Sequence, residues 1–159
     1  MVTEEPSDRA VGHLNEHRRQ LPADLADRLV ARISAEHPEL SAGVPERILD
    51  QTLAFLKACV TATEPIGPSE LVDIGWHTFI LYTREYAEFC ERIAGRFIHH
   101  VPDDEPTGDE WPTVPKANLA VTVAAIRRAG YMVDAKLWSM TTSADCTQCH
   151  AGCHDSPTR

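Results

Sequence analysis

The sequence predicts an all-α fold, an irregular bundle of about five helices that ends in a Cys/His-rich tail. Three observations carry this prediction. Apolar residues recur at four-residue spacing, Pro and Gly stand where helices start and stop, and no apolar/polar alternation is long enough to build a sheet. No internal repeat of fixed period is present. A chain of 159 residues fits one domain with a single core.

Residues 1–20 are polar without a sustained period and read as an N-terminal arm. The helical domain is expected over 21–140 and the tail over 141–159. Pro22 stands at a helix start, and Leu25, Leu29 and Ile33 recur until His37-Pro38 stops the run. Pro45 opens a second helix, with Leu49, Leu53, Leu56 and Val60 on one stripe and Ile48, Thr52, Phe55 and Cys59 widening it. That width places it at the centre of the core. Ser69 with Glu70 starts a third helix to about Tyr82. Thr83 is expected to cap a fourth, from Arg84 to Gly95. Residues 102–113 hold Pro102, Pro106, Gly108 and Pro112 among five acidic residues, which describes a solvated loop. Thr113 and Pro115 are expected to launch a fifth helix carrying Leu119, Val123 and Ile126, stopped at Gly130 in a left-handed conformation. Tyr131 to Met140 can add a short strand or a turn of helix.

Composition narrows the function classes. A net charge of −9 opposes nucleic-acid phosphates and anionic lipid alike, so neither is an expected partner. No stretch reaches the roughly 20 apolar residues that a spanning helix needs. The opening residues lack the apolar centre of a secretory signal, and the expected location is the cytoplasm. In such a reducing compartment five cysteines, three of them between 146 and 153, point to metal ligation rather than disulfides.

The tail places Cys146, Cys149, His150, Cys153 and His154 within nine consecutive positions. Both sulfurs of a C-x-x-C turn can face one ion, and Gly152 frees the backbone to bring Cys153 or His154 round. Thiolate with imidazole suits zinc first, then copper(I) or iron. The usual second pair of ligands downstream is missing, so the site must be compact or borrow a ligand from the body. Cys146-Thr-Gln-Cys149-His150 is also the C-x-x-C-H pattern of covalent haem attachment. A third reading is a tail with free, redox-labile thiols.

The hairpin carries a second set of candidates. Asp73 and His77 lie four apart on one helix face, where a carboxylate can orient the imidazole. Adjacent His99 and His100 cannot both point the same way, so at most one turns towards His77. Trp76 reads as a packing anchor, and Cys59 and Cys90 lie on apolar stripes as small core residues. His13, His17 and His37 lie in polar or helix-end positions and receive no role.

The segment Val72-Asp-Ile-Gly-Trp-His77, followed by Thr83-Arg-Glu-Tyr86, Phe89-Cys90 and Gly95-Arg-Phe-Ile-His-His100, resembles the bacterial relatives of the plant glycine-rich domain proteins. Their pattern is D-x-x-W-H-x-H-x-L, then Tyr and Cys, then G-R-F-x-H-H. The resemblance spans residues 72–100 and implies a Cys-rich tail in some members. Where the pattern has a second His this chain has Phe79, so a metal site needing both would lack a ligand.

Three function classes follow. The first is a small, non-catalytic, zinc-binding protein, with ligands from Cys146, Cys149, Cys153, His150 and His154 and with His77, His99 or His100 adding a ligand or a second site. The second is a metalloenzyme with its ion at His77 and one of His99 or His100, and Asp73 or Glu91 as base. No H-E-x-x-H, nucleophile elbow or phosphate loop supports it. The third is an adaptor whose acidic surface meets a protein partner.

Overall fold

A computed structural model of the protein describes residues 17–100 and 118–139. Among these the fold is all-α: after a 3-10 turn at Arg18–Gln20 come α1 (Ala23–Glu36), α2 (Val44–Thr61), α3 (Glu70–Ile80), α4 (Thr83–Ala94), α5 (Leu119–Arg128) and α6 (Ala135–Trp138). The described residues contain no strand. None of their helices is long and apolar enough to cross a membrane. The tail ligands Cys146, Cys149, His150, Cys153 and His154 lie outside the described residues, as do residues 1–16 and 101–117.

Helix α2 is the axle of the fold. Helices α1, α3, α4 and α5 pack on it, and every residue from Ile48 to Ala58 is buried. A helix covered all round must also enclose its polar residues, here Asp50, Gln51 and Lys57. The predicted stripe ends sooner than expected, because Val60 is 38% exposed at the last turn. Leu25, Leu29 and Ile33 of α1 meet it as their spacing predicts.

Helix boundaries follow cap chemistry. Ser69 accepts from the Val72 N–H and starts α3. Thr83 is the first residue of α4 rather than its cap; Tyr82 holds the cap position and makes no side-chain bond there. Gly95, at φ 61°, closes α4 in the left-handed region. The expected launch of the fifth helix at Thr113 and Pro115 lies outside the described residues. Asn118 is the cap, its side chain accepting from Ala120 N–H at 2.9 Å. Beyond Gly130 the choice between strand and helix resolves to helix, because Asp134 caps the short α6.

One close approach positions α3. A Cβ on Gly75 would collide with Thr52 Oγ1 and lie 2.9 Å from Ile48 Cγ2, so only glycine lets the two helices sit this near. Thr52 Oγ1 then shares its one hydrogen between the carbonyls of Ile48 at 2.8 Å and Val72 at 3.1 Å.

Gln51 ties the end of the described chain to α2. Its Nε2 donates to the Met132 carbonyl at 3.1 Å and to Asp50 Oδ2 at 3.3 Å. Its Oε1 accepts from the Asp134 N–H at 3.0 Å and from Trp138 Nε1 at 2.8 Å. Arg47 Nε donates to the Asp134 carboxylate beside it. Asp50 is 1% exposed, and among the described residues its Oδ1 has no hydrogen-bond partner. Burial pushes its pKa up from 3.8 to about 7, against the opposing pull of Gln51, His17, Lys57 and Arg18. His17, read from sequence as a polar-arm residue, is buried: Nδ1 lies 3.4 Å from Lys57 Nζ and the ring meets Tyr131 edge-on at 5.0 Å.

Candidate metal centre

Asp73 and His77 stand one turn apart on α3, as i, i+4 spacing requires, with His77 Nδ1 3.2 Å from Asp73 Oδ2. The third member comes from outside the helix. Gly95 ends α4 and turns the chain into residues 96–100, which carry no regular structure of their own. Exposure there alternates: Ile98 is 5% exposed and His100 mostly covered, while Phe97 and His99 face outward. Ile98 in the core and His100, two residues on, thus lie on the covered side. His100 Nε2 meets the other oxygen, Asp73 Oδ1, at 2.7 Å. The two imidazoles lie 4.3 Å apart between ring centres.

Asp73, His77 and His100 each offer one ligand atom, and these atoms lie within 4.8 Å of one another. Ligand atoms about 2.1 Å from a common ion stand roughly 3–3.5 Å apart, so small side-chain adjustments convert this cluster into a coordination shell. The Asp73 carboxylate accepts from His100 Nε2, and His77 Nδ1 lies near its other oxygen. An ion bound here would be met by those nitrogens in their unprotonated form, with the carboxylate as the third donor. Two nitrogens and one oxygen suit zinc and neighbouring divalent first-row ions and disfavour copper(I). The side chains grade from covered to open, at 12% exposure for His100, 30% for Asp73 and 59% for His77, so an ion could enter from the His77 side.

The indole of Trp76 forms the floor, its ring 4.3 Å from that of His100. The packing role expected of Trp76 is present, and a polar role accompanies it: Nε1 donates to Tyr86 Oη at 2.8 Å. Tyr86 Oη in turn donates to the Ile98 carbonyl at 2.6 Å. Burial raises the Tyr86 hydroxyl above its ordinary range, which keeps it protonated and a donor.

Of the other sequence candidates, His99 packs its ring on Phe97 at 4.9 Å and stands outside the group. Cys90 is fully buried in the core, and burial lifts the Cys59 thiol to about 12, far from the thiolate a metal needs. Asp73, also a candidate base in the metalloenzyme reading, has an imidazole nitrogen beside each of its oxygens. Its bridging role was not read from the sequence, although the parity of Ile98 and His100 was available as a signal.

The family model described as UCP032817-like matches residues 16–108. No curated protein and no solved structure is detectably similar to the chain. This match corrects the resemblance to the glycine-rich domain proteins, which no comparison supports. The structure gives the physical reason for the departure at position 79. Phe79 is fully buried against Tyr86 and Phe89, at ring-centre distances of 5.2 and 5.3 Å, where a histidine would bury a polar ring.

Proposed function

We propose that this chain, which belongs to the uncharacterised UCP032817-like family, is a cytoplasmic, non-catalytic metal-binding protein whose ion sits between Asp73, His77 and His100. The observation supporting this reading is the convergence of one carboxylate oxygen and two imidazole nitrogens from two separate segments within 4.8 Å. Zinc fits this donor set first. Three protein donors leave at least one position open. Cys146, Cys149 and Cys153, with His150 and His154, remain the proposed source of a fourth ligand or of a second site. The unpaired Cys59 and Cys90 agree with a reducing compartment.

A catalytic ion is the second reading, favoured by that same open position, where a bound water would be activated.

Elemental analysis after purification under reducing conditions tests the proposal, on the full chain, on a chain truncated at Asp145 and on His100→Ala. The expected result is one zinc equivalent lost on His100→Ala. Metal that survives His100→Ala but disappears with the tail would overturn the hairpin site in favour of a self-contained tail site. No metal in any form would leave the adaptor reading.

A further inference from the structure

His100 is the one donor of the centre that no helix holds. Residues 96–100 have no regular backbone ladder, so their position depends on side chains of the hairpin. The contacts holding them converge on Tyr86. Its hydroxyl donates to the Ile98 carbonyl, two residues before His100, and accepts from Trp76 Nε1, whose ring is the platform under the His100 imidazole. The Phe97 ring meets the edge of Tyr86 at 5.1 Å. A single buried oxygen therefore fixes both the backbone that delivers His100 and the surface against which its ring rests.

We propose that Tyr86 is a positioning residue of the metal centre, acting through Ile98 and Trp76 to hold His100 Nε2 opposite Asp73; this rests on the metal-binding reading above. The chemistry favours tyrosine over phenylalanine for this task. The hydroxyl of a fully buried tyrosine is costly unless partnered, and here it is partnered as donor and acceptor at once. Its partners are not neighbours in one ladder but the two things that define where the His100 ring lies. A group that orients a metal ligand without touching the ion typically changes affinity by about 10- to 100-fold when removed.

The test titrates Co2+ into the full-length protein, reading affinity and the visible ligand-field band, for the parent, Tyr86→Phe and Leu29→Ala. Leu29 is fully buried on α1 in the same apolar core but takes no part in the Trp76–Tyr86–Ile98 hydrogen bonds, so its variant controls for lost stability. Tyr86→Phe is expected to weaken Co2+ binding about 10- to 100-fold and to move the band towards that of His100→Ala, while Leu29→Ala stays within about twofold of the parent. Parent-like affinity and spectrum in folded Tyr86→Phe would overturn the proposal, as would an equal loss in Leu29→Ala. A parent that binds no Co2+ would instead overturn the metal-binding reading itself. Should Tyr86→Phe not fold, Trp76→Phe removes the donor to Tyr86 and the indole platform together. A loss of several-fold is expected there, and unchanged affinity would count against the proposal.

Discussion

Asp73 and Asp50 are both carboxylates with a histidine beside them, yet their surroundings make them different kinds of object. Asp73 is 30% exposed, and each of its oxygens faces an imidazole nitrogen. Asp50 is 1% exposed, accepts at Oδ2 from Gln51, and has an oxygen without a partner among the described residues. An open cluster whose polar atoms already face one another could take an ion with little structural change. A closed cluster with an orphaned oxygen instead stores its cost in the fold, where only protonation relieves it. The first is suited to a ligand, and the second to fastening residues 131–139 onto α2.

The largest test of this contrast is pH. Asp50 has its raised value, about 7, in the folded state, against 3.8 unperturbed. Between those values the folded protein keeps a proton that the unfolded chain releases. The contribution is therefore fully present below about pH 4 and is lost as pH rises through 7. The slope spans at most on the order of 4 kcal/mol. Asp50→Asn cannot ionise, so urea melts from pH 4 to 8 should show a flattened profile and a variant more stable than its parent at pH 8. A parent profile retained in Asp50→Asn would remove the distinction between the two carboxylates.

A smaller effect is expected from Gln51→Leu. It strips partners from Trp138 Nε1, Asp134 N–H and the Met132 carbonyl, at roughly 2–3 kcal/mol in chemical denaturation. Trp138 fluorescence should shift while Co2+ affinity stays within about twofold. A joint loss would show that the two clusters are one unit, coupled through Phe55, whose ring lies 5.2 Å from Trp76 and 6.2 Å from Trp138.

The smallest is His77→Ala without metal. A surface contact whose histidine is 59% exposed should contribute under about 0.5 kcal/mol, so the thermal midpoint should barely move. A drop of several degrees would place the open cluster among the structural ones.

Much of the fold was legible because its determinants are local. The Leu25, Leu29 and Ile33 spacing, the Ser69 cap and the left-handed Gly95 and Gly130 each act within a turn or two of their own position. Thr83 misled because a threonine suits a cap by composition, whereas the chain already turns at Tyr82. The site was half legible for the same reason. Asp73 with His77 follows from one helix face, but His100 arrives through a tertiary hook, and Tyr86 on an apolar stripe looks like ordinary packing. The closed cluster left a subtler trace: Asp50, Gln51 and Lys57 lie inside a helix too widely apolar to have a wet side. His17 gave no signal, since its burial comes from Tyr131 and Lys57, far along the chain.

The reach of Gln51 has a consequence for how the chain is made. Its bonds to Met132, Asp134 and Trp138 span 81, 83 and 87 residues. During synthesis α1 to α4 emerge, and can pack, well before those partners exist, and contacts of such separation form late. Closure of residues 131–139 over Gln51 and Asp50 is therefore expected to come late, after the segment that carries Asp73, His77 and His100 has been synthesised.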